Sequence, residues 1–252
     1  YVYGTALIDE CIEDLKDYSE DSIPVLDNEN RLLGVITSAS IVDLVDDEMG
    51  EDYAKLAGLT AEEDLKEPLK ESMKKRLPWL IILLGLGMIV SSVVGVFEKV
   101  VTQLPIIMCF QSLILDMAGN VGTQSLAVTI RVLMDESLTG KQKFELVLKE
   151  MHIGLCNGGL LGILSFVLIG LYIFIFKGRT LIFAYAVSGC IGLSLMVAML
   201  ISSAVGTCIP LFFKKIHIDP AVASGPLITT INDLVAVISY YGLSWIFLIE
   251  IM

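Results

Sequence analysis

From about residue 78 onward apolar positions dominate, in five runs at about 78–97, 100–133, 148–176, 181–213 and 221–250. Each meets the roughly 20 residues that a membrane-spanning helix requires. A 34-residue second run would be about 50 Å long as one helix, so it must tilt, break or protrude. Pro105, Gly119 and Gly122 offer the places. Residues 1–50 follow another pattern, in which short apolar stretches alternate with polar turns. It predicts an acidic helix over 8–18, a strand SIPVLD at 22–27, a turn at 28–30, a strand LLGVIT at 32–37, and a helix from 38 to about 48 with Ser38 as N-cap. Residues 51–77 are acidic first (Glu62, Glu63, Asp64, Glu67, Glu71) and basic last (Lys74, Lys75, Arg76), which suits the dipole of one helix entering the membrane. The predicted fold is an α-helical membrane protein: a small α/β module over 1–50, a connecting helix over 51–77, and five transmembrane helices over 78–252.

Two of the five runs contain residues that a lipid-facing helix would not carry. In PIIMCFQSLILDMAGNVGTQSLAVTIR, at 105–131, Asp116, Gly119, Asn120, Gly122, Thr123, Gln124 and Ser125 interrupt the apolar sequence. Polar groups there lose their hydrogen bonds to water unless protein or a cavity replaces them. At helical spacing Asp116, Asn120, Thr123, Gln124, Ala127 and Arg131 fall near one face, either lining a water-filled path or forming a polar packing seam. Gly119 and Gly122 allow close backbone approach or a departure from helical geometry that exposes carbonyl oxygens. In HIDPAVASGPLITTINDLVAV, Pro220 breaks or starts a helix, Thr229 and Asp233 are four residues apart, and Asp233 is the only acidic or basic side chain in the interior of the last run. Asp233 lies 14 residues after Asp219, and Asn120 lies 15 before Asp135, so antiparallel spans bring Asn120 and Asp233 to a similar depth. A carboxylate at that depth costs several kcal/mol unless something compensates, which favours a functional role.

Composition places these runs in context. The 252 residues are 55% hydrophobic, with mean hydropathy +0.75, well beyond a soluble domain. Residues 1–76 carry 20 acidic and 8 basic side chains, and the remainder 9 of each, so the net charge of −12 resides in the N-terminal part. An acidic module beside a membrane argues against nucleic acid or anionic lipid headgroups as partners and for cations, with membrane lipid surrounding the spans. Ten Lys and Arg at 70–76, 131–149 and 214–215 fall on one side of the predicted spans, against Lys99, Lys177 and Arg179 on the other. The positive-inside rule then puts the N-terminus in the cytoplasm and the C-terminus outside a multi-pass cell-membrane protein. Five cysteines without CxxC spacing read as reduced thiols, and two isolated histidines offer no zinc or copper site. Small residues recur at four-residue steps (Gly87, Ser91, Gly95; Gly154, Gly158, Gly162; Ser194, Ala198, Ser202, Gly206) and predict tight helix contacts. The chain starts at Tyr1 within apparently folded sequence, which suggests a fragment.

Two resemblances follow from these motifs. The order helix, IPVLD, turn, RLLGVIT, helix resembles the second half of a CBS module, a regulatory domain that often binds adenine nucleotides; Ser40 stands where an acidic residue often holds the ribose, a departure that argues against nucleotide binding. AGNVGTQS at 118–125 with Arg131, DPAVASGPLITTIND at 219–233 and LPWLIILLGLGMIVSSVVGVFE at 77–98 resemble the MgtE magnesium transporters and channels, in that family's order over nearly the whole chain. The resemblance implies a homodimer with a pore on its two-fold axis, lined by the second and fifth spans. Asp233 would hold hydrated Mg2+, with backbone and side-chain oxygens of the neighbouring motif around it; the polar pattern of the two spans itself offers Asn120, Thr229, Gln124, Asp116 and the carbonyls near Ala118 and Gly119 as the candidates. The resemblance further implies gating by cytosolic Mg2+ through the connecting (plug) helix, with Asp219 at a position that joins such metal sites; the clustering of acids in the soluble part adds Glu63, Glu67 and Glu71 as candidate regulatory metal ligands. This chain departs from the family at Gly225, where some members carry Asn, and at Asp116, where some carry a small residue. The chemistry suits the implied ion. Mg2+ gives up water reluctantly, so a wide polar ring with few carboxylates fits the hydrated ion, and two-fold symmetry supplies two Asp233 carboxylates to balance it.

Two other classes compete with a magnesium channel. One is a secondary-active exchanger or a carrier of another divalent cation such as Co2+, Mn2+ or Ca2+. The other is a membrane-tethered CBS sensor that transports nothing, for which an intramembrane carboxylate would have no use. The sequence contains no Ser/His/Asp set, HExxH or suitably spaced catalytic aspartates, so it does not read as an enzyme.

Overall fold

The structure, a computed structural model, describes residues 1–6, 22–61, 65–135 and 138–250. The helix expected over 8–18 lies outside them. Three short strands open the chain: β1 (Val2–Tyr3) pairs parallel with β2 (Ser22–Leu26), which pairs antiparallel with β3 (Leu32–Thr37). Asp27 shapes the turn after β2, its Oδ1 accepting from the backbone N–H groups of Glu29 and Arg31 at 2.9 and 2.8 Å. Helix α1 (Ser38–Leu56) follows directly. Its N-cap is Thr37, one residue before the expected Ser38, because Thr37 keeps the extended backbone of β3 while its hydroxyl accepts from the Ser40 N–H.

The single helix expected over 51–77 is divided. Helix α1 ends at Leu56, and Gly58 takes φ +84°, a left-handed conformation that costs glycine little. The Gly58 and Leu59 N–H groups close the end of α1 on the carbonyls of Lys55 and Ala54. Pro68, which cannot donate within a preceding turn, then caps α2 (Leu69–Val96), and α2 continues through Pro78 into the apolar sequence.

Five helical segments among the described residues are long and apolar enough to cross a membrane. Helix α2 is the first, and none of its described residues is buried. The second run breaks at its proline, as its length demands: α3 (Glu98–Gln103), a 3-10 turn (Pro105–Ile107), then α4 (Met108–Asp135). Helix α5 (Gly140–Phe176) begins at a capping box in which Thr139 and Gln142 satisfy each other's backbone. Helix α6 (Leu181–Lys215) starts on the Thr180 cap, and α7 (Gly225–Ser244) on the Ser224 cap after a 3-10 turn (Pro220–Val222), continuing as a π-helical turn (Trp245–Glu250).

Helix α6 is the central element, packed along α5 and against α4 and α7, while α2 leans on α7. The main core gathers Ile114 and Ala118 of α4, Ile191 and Leu195 of α6, and Val237 and Tyr241 of α7. Small residues set the closest approaches: a Cβ at Gly162 or at Gly192 would lie 2.7 or 2.6 Å from the other's carbonyl oxygen. The corresponding expectation for α2 is not met among the described residues, none of which lies within 4 Å of a Cβ at Gly87 or Gly95.

Candidate functional site

Helix α4 is continuous through Gly119 and Gly122, so these glycines do not unwind it. Their role is close approach to α7. A Cβ at Gly119 would sit 3.0 Å from Thr229 Cγ2, and one at Gly122 would overlap the Asn232 amide. These two contacts place residues 119–122 of α4 opposite 229–232 of α7 and so set the relative depth of the two helices. Thr229 is half-buried in the seam, donating to the Gly225 carbonyl at 3.0 Å, and Asp233 follows it on α7, also half-buried.

The polar residues of α4 divide by direction. Asp116, Asn120, Gln124, Ala127 and Arg131 are exposed along one side of the helix, and Asn120 Nδ2 donates to Asp116 Oδ1 at 3.1 Å. Thr123, half-buried beside them, donates to the carbonyls of Gly119 and Asn120 at 3.1 and 2.9 Å. Ala118 points the other way and is fully buried in the main core, so its side chain is not grouped with the exposed stripe. A membrane helix with an amide and a carboxylate on its exposed side cannot satisfy them with lipid; water or protein must cover that side.

Two of the acids expected to hold a regulatory metal are each paired with a lysine. Lys55 Nζ donates to Asp219 Oδ2 at 2.8 Å and lies 3.6 Å from Glu51 Oε2. Burial alone would lower the Lys55 pKa, but the hydrogen bond and charge of Asp219, with the charges of Asp52 and Glu51, outweigh it and hold that pKa above the ordinary lysine value. Lys75 Nζ pairs with Glu67 Oε1 at 2.6 Å. Glu71 is exposed in the first turn of α2, and Glu63 lies outside the described residues. Among the described residues no group of three or more His, Cys, Asp or Glu is arranged to hold a metal ion. The four described cysteines are all free.

Several residues near these sites went unnoticed in the sequence. Trp79 Nε1 donates to Ser224 Oγ at 2.8 Å, and the Trp79 ring lies over Gly58, so the end of α1, the start of α2 and the cap of α7 meet at one point. A cavity of about 260 Å³ lined by Lys55, Gly58, Leu59, Thr60, Trp79 and Val222 opens beside it. Glu150 on α5 is buried and accepts from Ser125 Oγ at 2.9 Å. Its face could have been read, because Glu150 stands one helical step before the row Gly154, Gly158, Gly162.

This arrangement defines an α-helical multi-pass membrane protein. Residues 111–243, from Gln111 of α4 to Leu243 of α7, match the family model MgtE, described as a divalent cation transporter, and the chain belongs to that family. The "Magnesium transporter MgtE" of Enterococcus faecalis is 37% identical over 240 residues, covering 95% of this chain and 51% of the relative. That of Bacillus subtilis is 35% identical over 234 residues (93% and 50%), and that of Thermus thermophilus 30% over 234 (91% and 49%). The chain thus spans about half the length of these curated relatives.

Proposed function

We propose that this chain belongs to a homodimeric magnesium channel or transporter that conducts hydrated Mg2+ into the cytosol. The observation that carries the reading is the exposed stripe Asp116, Asn120, Gln124 on α4, which is seamed at 119–122 to the part of α7 that leads into Asp233. A second copy brought against this side would enclose the stripes of both subunits around a water-filled axis, with two Asp233 carboxylates to balance one divalent ion. The names of the relatives, all magnesium transporters, support Mg2+ as the ion. In this reading the N-terminal module is cytoplasmic, residues 1–50 form part of a CBS module, and Asp219, Glu63, Glu67 and Glu71 belong to a Mg2+-sensing region. Mg2+ there must compete with the ammonium groups of Lys55 and Lys75. The experiment is Mg2+ uptake into proteoliposomes under an imposed voltage, with and without a sodium gradient. Voltage-driven uptake indifferent to sodium supports a channel; uptake that requires the sodium gradient supports an exchanger; no uptake of any divalent ion contradicts transport.

A further inference from the structure

Asn232 is fully buried on α7, and neither its amide nitrogen nor its amide oxygen has a hydrogen-bond partner among the described residues. An apolar side chain would fill this space without leaving polar groups unsatisfied, so the amide needs a reason to be there. Its surroundings are built to admit it. Gly122 lacks the Cβ that would overlap Asn232 Nδ2, and the Gly122 carbonyl oxygen in turn lies against Gly206 of α6. Ser202 stands one turn from Gly206 on the same face of α6, is fully buried, and also has an unpartnered hydroxyl. The Gly206–Gly122 contact thus brings α6 against α4 beside the Asn232 amide, and the Ser202 hydroxyl lies one helical turn along α6 from that contact. An amide and a hydroxyl without a carboxylate do not suit a divalent cation, which would have to give up its own water to enter. A single water can accept from the amide N–H, donate to the amide oxygen and serve the hydroxyl as well.

We propose that the crossing of Gly122 and Gly206 holds an ordered water bound by Asn232 and Ser202, and that this water makes Asn232 a positioning residue for Asp233. Successive helical residues point about 100° apart, so an Asn232 anchored inward turns Asp233 away from the subunit interior, consistent with its being half-buried. The role in positioning rests on the reading that Asp233 faces the ion path; the water site does not. A cryo-EM map of the wild-type protein in lipid, at a resolution that shows water, tests the site directly. Density within hydrogen-bond reach of the Asn232 amide and the Ser202 hydroxyl is expected, and a well-resolved crossing without it overturns the site. For positioning, Asn232→Leu is expected to fold and elute as wild type while Mg2+ over Ca2+ discrimination in liposome uptake falls about tenfold. Should that variant fail to fold, Ser202→Ala, which removes only the hydroxyl, is expected to shift discrimination in the same direction by a smaller factor. Wild-type discrimination by whichever variant folds overturns the positioning role, even where Asp233→Asn abolishes uptake. Normal uptake by Asp233→Asn overturns the positioning role together with the reading beneath it, and the map still decides the water site.

Discussion

Lys55 holds Asp219 across 164 positions of sequence, Nζ to Oδ2 at 2.8 Å, while the other oxygen of that carboxylate accepts from the Ala221 N–H at 2.9 Å. One side chain thus ties the end of α1 to the turn that leads into α7. Asp219→Asn keeps an oxygen for the turn and removes the charge. An ion pair this exposed contributes up to about 1 kcal/mol, so protease cleavage within 57–68 is expected to rise by about five-fold or less. An unchanged rate would mean that the other contacts of the segment, the packing around Trp79 and the hydrogen bonds of Thr60 to the Lys75 carbonyl among them, hold it without the ion pair.

The same pair predicts a pH dependence. Lys55 has its pKa raised in the fold, so its contribution is fully present below the ordinary lysine value of 10.5 and is lost as pH rises through the higher folded value. Cleavage within 57–68 is expected to be insensitive to this lysine from about pH 6 to about pH 9 and to increase only in strong alkali. A rise between those limits that persists in Lys55→Met would assign the change to another group.

Trp79→Phe should keep a ring over Gly58 and lose the donor to Ser224 Oγ, weakening the start of α7 by about 1 kcal/mol. Because the chain has two tryptophans, a Trp245→Phe background leaves Trp79 as the sole tryptophan, whose emission can be excited apart from that of the tyrosines. Its emission is expected to shift to the red when Gly58→Ala pushes a methyl toward the indole, 2.6 Å from Cδ1 at a backbone φ of +84°. Unshifted emission would show that the junction yields without exposing the ring.

Gly162 and Gly159 separate packing from helix propensity on α5. Gly162→Ala drives a methyl toward the Gly192 carbonyl oxygen and is expected to cost about 1–3 kcal/mol. Gly159→Ala meets nothing within 4 Å and is expected to be neutral or to stabilise by up to about 1 kcal/mol. Thermal unfolding in detergent should therefore order the three proteins Gly162→Ala, wild type, Gly159→Ala. Equal midpoints would contradict the close crossing of α5 and α6.

The five spans were legible because an apolar run of that length in a bilayer has only the helix to satisfy its backbone. Their ends were less so. Helix α2 starts at Leu69 and α5 at Gly140, several residues before the apolar runs, because a helix continues through polar sequence until a cap such as Thr139 or a proline such as Pro68 ends it. The stripe Asp116, Asn120, Gln124 could be read from its period of four, whereas Ala118 is two residues from Asn120 and so points nearly opposite. Lys55 with Asp219 and Asn232 with Gly122 could not be read, since each depends on how separate helices dock. The division of the 51–77 segment had signals in Gly58 and Pro68, which its charge pattern obscured.

The central claim is that Asp233 faces an ion path shared by two subunits, and Mg2+ uptake by Asp233→Asn in proteoliposomes tests it most directly. The substitution keeps the shape of the side chain and removes its charge, so uptake is expected to be lost while the variant elutes from size exclusion as the wild type does. Asp233→Glu is expected to retain part of the flux with altered ion preference, because the longer side chain would narrow the proposed ring. Uptake by Asp233→Asn at the wild-type rate would contradict the account and move the search for the ion path to Asp116.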